Sequence, residues 1–220
     1  MKRGLMPTLA LWGLLILLTA NVAAEAQQEP RNKILFDAMS PYEDLTEYAL
    51  TRNASKVEET IKALRPSLEK VRTVVTDKSA ALLREDMDKL IWAAKKHEFA
   101  QVALYAVDSY KRLVDELDTA ELSVPREVAI LDFVGFKIHA LLAQKKVDWL
   151  AIHEVVAMGK EQWDAIEKAI SDKGLRAAMN TAVKGFQTAA QSKNTEMLRF
   201  AAQVDLDLVD LLENYFENRK

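Results

Sequence analysis

The sequence predicts an all-α protein of about eight antiparallel helices, arranged as two tandem four-helix up-down units packed together. Three observations predict it. The composition is that of helix formers: Ala, Leu, Glu, Lys and Asp dominate, against 6 glycines and 5 prolines in 220 residues. Apolar residues recur with a helical period almost without pause from Lys33 onward, and no segment alternates as a strand does. Turns and aromatic positions in the first half return in the second, as in a chain built from repeats.

The first element is a leader. Lys2 and Arg3 precede an apolar run from Leu5 to Ala20, followed by Asn21-Val22-Ala23-Ala24-Glu25-Ala26. A basic start, an apolar core and small residues at cleavage spacing are the order of a signal peptide over residues 1–24, with cleavage after Ala24 or Ala26. The run is shorter than the roughly 20 residues a spanning helix needs, which favours export over an anchor. The membrane is then met only during export. With 0 cysteines, lipoprotein anchoring, disulfides, thiolate metal sites and covalent haem attachment are all excluded. A small exported chain without disulfides points to a bacterial periplasm.

Residues 25–32 are polar and read as a loose tail. The first four-helix unit spans 33–118, with helices over 33–52, 54–76, 78–96 and 98–118. Asn53, Thr76 and the His97-Glu98 turn punctuate it, Asn and Thr being side chains that accept bonds from free helix N–H groups. Pro41 and Pro66 fall inside the first two helices, where each lost N–H predicts a kink or a restart. A linker over 119–125 leads to the second unit, 126–217, with helices over 126–144, 147–171, 173–191 and 194–217.

The two units align by a shift of 95 positions, which carries Thr76-Asp77-Lys78-Ser79 onto Ser171-Asp172-Lys173-Gly174. The same shift carries Tyr105-Ala106 onto Phe200-Ala201 and Leu113-Val114-Asp115 onto Leu208-Val209-Asp210. The opening helices of the units differ. The first carries Asp37, Glu43, Asp44 and Glu47 and so has a solvated face. Its counterpart, residues 126–144, places Val128, Ile130, Leu131, Phe133, Val134, Phe136, Ile138, Leu141 and Leu142 all around the helical wheel. An apolar surface of that width has to be covered by protein, either by the other unit or by a second copy in a homodimer.

That helix also carries the sharpest chemical feature. Asp132 and His139 are seven residues apart, on nearly one face. In a hairpin turning near Gln144 to Lys146, His153 reaches a height similar to that of His139. Two imidazoles and a carboxylate are a legitimate ligand set for a transition metal, so Asp132, His139 and His153 form the candidate metal site. Competing with it is a plain packing role for Asp132 and His139 and solvent exposure for His153. His97 sits in a turn and is read as exposed. Trp92, Trp149, Trp163, Tyr105, Tyr110, Phe200 and Tyr215 fall at core or boundary spacing and read as packing. Asp205, Asp207 and Asp210 read as a solvated acidic face.

Other chemistry is absent from the sequence. No dinucleotide, P-loop, nucleophile-elbow or calcium-loop pattern occurs. The residues three before His97, His139 and His153 are Ala94, Phe136 and Leu150, so the Glu-x-x-His pattern of di-iron bundles is missing. His153-Glu154 begins a zinc-protease motif that Ala157 ends. Each unit is similar in shape and length to the b562-type and c′-type cytochromes, but the attachment motif and the terminal-helix histidine of those families are both missing. A formal charge of −3 gives no footprint for nucleic acid. The expectation is a non-catalytic periplasmic protein that binds a partner protein or a small ligand, with binding of a metal or cofactor through the histidine pair as the alternative.

Overall fold

A computed structural model describes residues 29–218, and among these every regular element is helical. The helices are α1 (Arg31–Leu50), α2 (Ala54–Val71), α3 (Asp77–Lys95), α4 (Phe99–Asp115), α5 (Arg126–Leu142), α6 (Trp149–Ile166), α7 (Lys173–Gln191) and α8 (Thr195–Glu217). Short 3₁₀ turns follow α4 at Thr119–Glu121 and α6 at Glu167–Ala169. The leader over residues 1–24 lies outside the described residues. No described helix is long and apolar enough to cross a membrane.

The ends of the helices follow from the cap residues. Asn53, Thr76, Asp148, Asp172 and Asn194 each accept a backbone N–H of the first turn of the helix they precede. Both α1 and α5 begin directly after a proline, Pro30 and Pro125, whose fixed φ is ready for a helix start. Three of the hairpin turns close alike, on a left-handed residue: Arg52, His97 and Lys193, with φ of 57°, 52° and 53°. The next N–H in each case reaches back to a carbonyl in the last turn: Asn53 to Tyr48, Glu98 to Ala93, and Asn194 to Ala189.

Two expectations need correction. The tail is shorter than residues 25–32, because Arg31 and Asn32 already belong to α1. Asn32 is buried and clasps the chain after α4, donating to Asp118 O and accepting from Asp118 N, both at 2.9 Å. Nor does either proline restart its helix, since α1 runs through Pro41 and α2 through Pro66. The carbonyls left without a donor belong to Asp37 and Lys62, both exposed residues, so they are open to solvent.

In packing, α1 lies against α2 and α4, and α3 against α2 and α4; α5 lies against α6 and α8, and α7 against α6 and α8. The linker does not divide the core. One apolar cluster runs from Leu35 in α1 through Leu113 in α4 and Phe133 in α5 to Ala202 in α8. A smaller cluster around Val128, Leu131, Trp163, Met179, Val183 and Leu212 closes the far end of α5–α8.

α5 touches four helices, α1, α4, α6 and α8, and buries eleven of its residues, from Val128 to Leu142. This is the fate its all-round apolar surface requires. Against α4 it runs antiparallel. Gln101 donates to Gln144 at 2.6 Å, Lys137 pairs with Asp108 at 2.5 Å, and Tyr110 Oη donates to Ala129 O at 3.3 Å.

The aromatic residues divide. Trp163 and Tyr110 are buried, as packing residues should be. Trp92 is 54% exposed and Phe200 71%, so neither is a core residue: each falls on the outward side of its helix, whose buried stripe runs through Leu83, Met87 and Leu90 in α3 and through Leu198, Ala202 and Val209 in α8.

Candidate functional site

Seen from α5, one face carries Asp132, Gly135, Phe136 and His139, spaced so that they stack over two helical turns. It meets α8 and the second half of α1. Together they border a cleft of about 420 Å³, lined by Asp132, Phe136 and His139 from α5 and by Glu47 and Leu50 of α1 with Thr51 just beyond it. From α8 come Gln203, Leu206, Asp207 and Asp210. Four carboxyl groups line this cleft, and no Lys or Arg does.

Gly135 lets the two long helices approach. A Cβ there would stand 2.7 Å from Leu206 Cδ2 and 3.2 Å from Asp205 Oδ2. Asp205 is wholly buried, and neither of its carboxylate oxygens has a hydrogen-bond partner. Burial alone pushes its carboxyl well above the usual range, so it holds its proton near neutral pH. The reading of Asp205, Asp207 and Asp210 as one solvated face is therefore corrected: Asp207 and Asp210 are exposed, while Asp205 faces inward. The signal was present in the sequence. Asp205 falls in register with Leu198, Ala201, Leu208 and Leu212, the buried stripe of α8.

Around Asp132 lies a set of residues that the sequence did not single out as a group. Burial raises its carboxyl well above the ordinary value, and the nearby charge of Glu43 raises it further; contact with the Tyr110 hydroxyl offsets part of that rise. Glu43 of α1, half-buried, is pushed up to about 7, first by burial and then by Glu213, Asp44 and Glu47. Tyr110 is raised by burial and by Asp132 and Glu43. Glu213 on α8 is raised by burial and by Asp210 and Glu217. Among the described residues none of these carboxyl groups, nor those lining the cleft, is in an ion pair.

A buried carboxylate in this protein can be satisfied, as Asp86 demonstrates. It is as buried as a core leucine, yet Arg112 Nε donates to it at 2.7 Å and Lys89 lies at 3.5 Å. Asp86 belongs to the architecture. Asp205 and Asp132 have no such cation.

Of the three residues of the candidate metal set, the structure brings two together. Asp132 and His139 border the same cleft, whereas His153 is exposed on α6 and does not border it. Among the described residues no three His, Asp or Glu side chains gather closely enough to hold a metal ion. His139 Nε2 is buried without a partner, and burial, with the Arg199 charge adding to it, lowers the pKa of the imidazole and keeps it neutral. His97 is exposed.

No family model matches this chain, and no curated protein or solved structure matches it either. Its function has to be read from the cleft itself.

The chemistry available there is recognition. The neutral imidazole of His139 and four carboxyl groups line one hollow with Leu50, Phe136 and Leu206. An apolar wall with a few convergent polar groups is the usual make-up of a small-molecule site.

Proposed function

We propose that this is a non-catalytic protein, exported to the periplasm, that binds a small ligand in the cleft between α1, α5 and α8. The observation that carries the reading is an orphaned polar group of a residue that lines the cleft, the buried Nε2 of His139. Leaving a buried polar group unpaired costs about 1–3 kcal/mol, and native chains seldom bear that cost without a use for the group. The order of the leader supports export. Two tandem four-helix units are supported by the recurrence of proline-started first helices and of left-handed hairpin turns at His97 and Lys193.

A partner protein is the second reading. It is favoured by Met197, Phe200 and Leu211, exposed residues that share one face of α8.

The test is an amide NMR screen of the purified protein against a mixed fragment library of amines, carboxylic acids, sugars and nucleosides. The reading expects hits whose shifts centre on Phe136, His139 and Gln203. A library that leaves those resonances unmoved, or moves only those of other surfaces, overturns it.

A further inference from the structure

The hairpins α2–α3 and α6–α7 match position by position when counted from their capped helix starts. The fourth, eighth, eleventh and eighteenth residues are buried in both α2 and α6. The seventh, eleventh, fourteenth and seventeenth are buried in both α3 and α7. One matched position differs in size. The fifteenth residue of α6 is Trp163, a buried ring whose Nε1 donates to Asn180 Oδ1 at 2.8 Å and which shares a cluster with Met179 and Val183. The fifteenth residue of α2 is Leu68, only half-buried. Facing it on α3, in the places of Met179, Asn180 and Val183, stand Leu83, Arg84 and Met87. A leucine thus takes the place of the indole, and an arginine the place of the indole's acceptor.

At this level α2 and α3 enclose a hollow of about 510 Å³, lined by Leu68, Leu83 and Met87 and edged by Arg65, Arg72 and Arg84. Two acids also line it, Glu69 and Asp88. Glu69 is matched by Arg72 at 3.7 Å. Arg65 and Arg84 are in no ion pair among the described residues, and together they outweigh Asp88. The hollow continues past Arg65 and Ile91 toward Lys62 and Lys95, with Glu58 as the acid there. Cations therefore exceed acids along its whole length, in a chain whose formal charge is −3.

We infer that this hollow binds a small aromatic carboxylate, its ring in the place that Trp163 fills between α6 and α7 and its carboxylate on Arg84. Size and charge select this chemistry together. The missing volume is that of a ring, and Met87 and the Arg65 guanidinium are side chains that favour an aromatic face. The planar fork of an arginine matches a carboxylate through two parallel hydrogen bonds, which a hydroxyl or an amide cannot accept as well. A cation would meet two unpaired arginines. The hollow shares no residue with the cleft between α1, α5 and α8, so each site stands or falls by itself.

The experiment is isothermal titration of the purified protein at fixed ionic strength, with amide NMR to locate each binder. The probes are indole-3-acetate, 2-naphthoate, the neutral isostere indole-3-acetamide, the cation tryptamine, the aliphatic acid octanoate and a glutamate-rich amphipathic peptide. Indole-3-acetate is expected to bind at least about tenfold more tightly than the amide or the amine, the weight of one charge-assisted hydrogen bond, and more tightly than octanoate. Its shifts should centre on Leu68, Arg84 and Met87. Arg84→Gln, at an exposed position, should weaken it about tenfold with no change in urea unfolding, so loss of fold cannot imitate the result. Leu68→Trp should fill the hollow from within and abolish binding, with the unfolding midpoint unchanged or raised. Failure of both aromatic acids to bind overturns the inference, and so does an amide, amine or octanoate that binds as tightly. Binding indifferent to Arg84→Gln, or retained in a folded Leu68→Trp variant, overturns it too. So does an acidic peptide, or a second copy in a dimer that Arg84→Gln weakens, that takes the hollow in place of the aromatic acids.

Discussion

Glu43 should make this protein less stable as pH rises, against the habit of most carboxylates. Its carboxyl has an ordinary value of 4.5 and is pushed up to about 7 in the fold. Below pH 4.5 the group is protonated whether the chain is folded or not, and it contributes no difference. Between 4.5 and about 7 the unfolded chain releases the proton while the folded chain keeps it. The folded state then binds more protons than the unfolded state, so stability falls with pH by about 1.4 kcal/mol per unit. Across the whole window this comes to about 3 kcal/mol, reduced to about 2 because Glu43 retains some solvent access. The perturbation is Glu43→Gln, which keeps the shape and removes the titration. The assay is urea unfolding of both proteins from pH 4 to pH 8.5. Taking pH 4 as the reference, the variant should gain about 2 kcal/mol on the wild type by pH 8, most of it above pH 4.5 and levelling beyond pH 7. Asp205, raised in the same direction, adds to the fall in both proteins and cancels, while Asp132, raised in part by the Glu43 charge, eases in the variant, so the difference reports Glu43 together with its coupling to Asp132. Two parallel curves would mean that Glu43 lies in water and that the acidic seam between α1, α5 and α8 is not formed.

Four further substitutions probe the frame around that seam. Gly135→Ala places a methyl group 2.7 Å from Leu206 Cγ, and the overpacking, about 1–3 kcal/mol, should outweigh a helix-propensity gain of about 1 kcal/mol in urea unfolding. Asn32→Ala removes both bonds to the Asp118 backbone and should cost about 1–3 kcal/mol by the same assay. Trp163→Ala, which deletes a fully buried ring and its 2.8 Å bond to Asn180, should cost about 3–5 kcal/mol, whereas Phe200→Ser, at a site 71% exposed, should stay within about 0.5 kcal/mol; equal losses for the two would refute the assigned burial.

Much of the frame was legible because helix punctuation is local chemistry. An Asn or Asp that caps a helix does so with a side chain that reaches three residues, and no tertiary contact is needed to place it. The burial of α5 was legible for a related reason: an apolar surface that wraps a whole helix leaves no side for water. The failures concern rotation about an axis. The hairpin argument set the height of His153 beside His139, but each residue turns the helix by 100°, and Ile152, Val155 and Val156 took the inward positions. His153 was left facing out. Glu43 and Tyr110 were missed because their meeting with Asp132 joins three helices at long sequence separation, and nothing in the local pattern of α1 or α4 records it.

Asp205 shows where pattern stops and partner begins. Ser109 is the eleventh residue of α4 and Asp205 the eleventh of α8, and both are completely buried. Each helix thus sets a polar residue in its buried stripe at the same distance from its start. Ser109 satisfies itself: its hydroxyl donates to Tyr105 O at 2.9 Å, one turn back in the same helix. The Asp205 carboxyl makes no such bond, for neither of its oxygens has a hydrogen-bond partner. The helix that needs no outside partner at this position lies on the side of the protein where Asp86 is matched by Arg112. The helix left in need of one lines the cleft. The same distance from the helix start, filled by serine in one place and aspartate in the other, gives a satisfied polar group in the first and an unsatisfied one in the second.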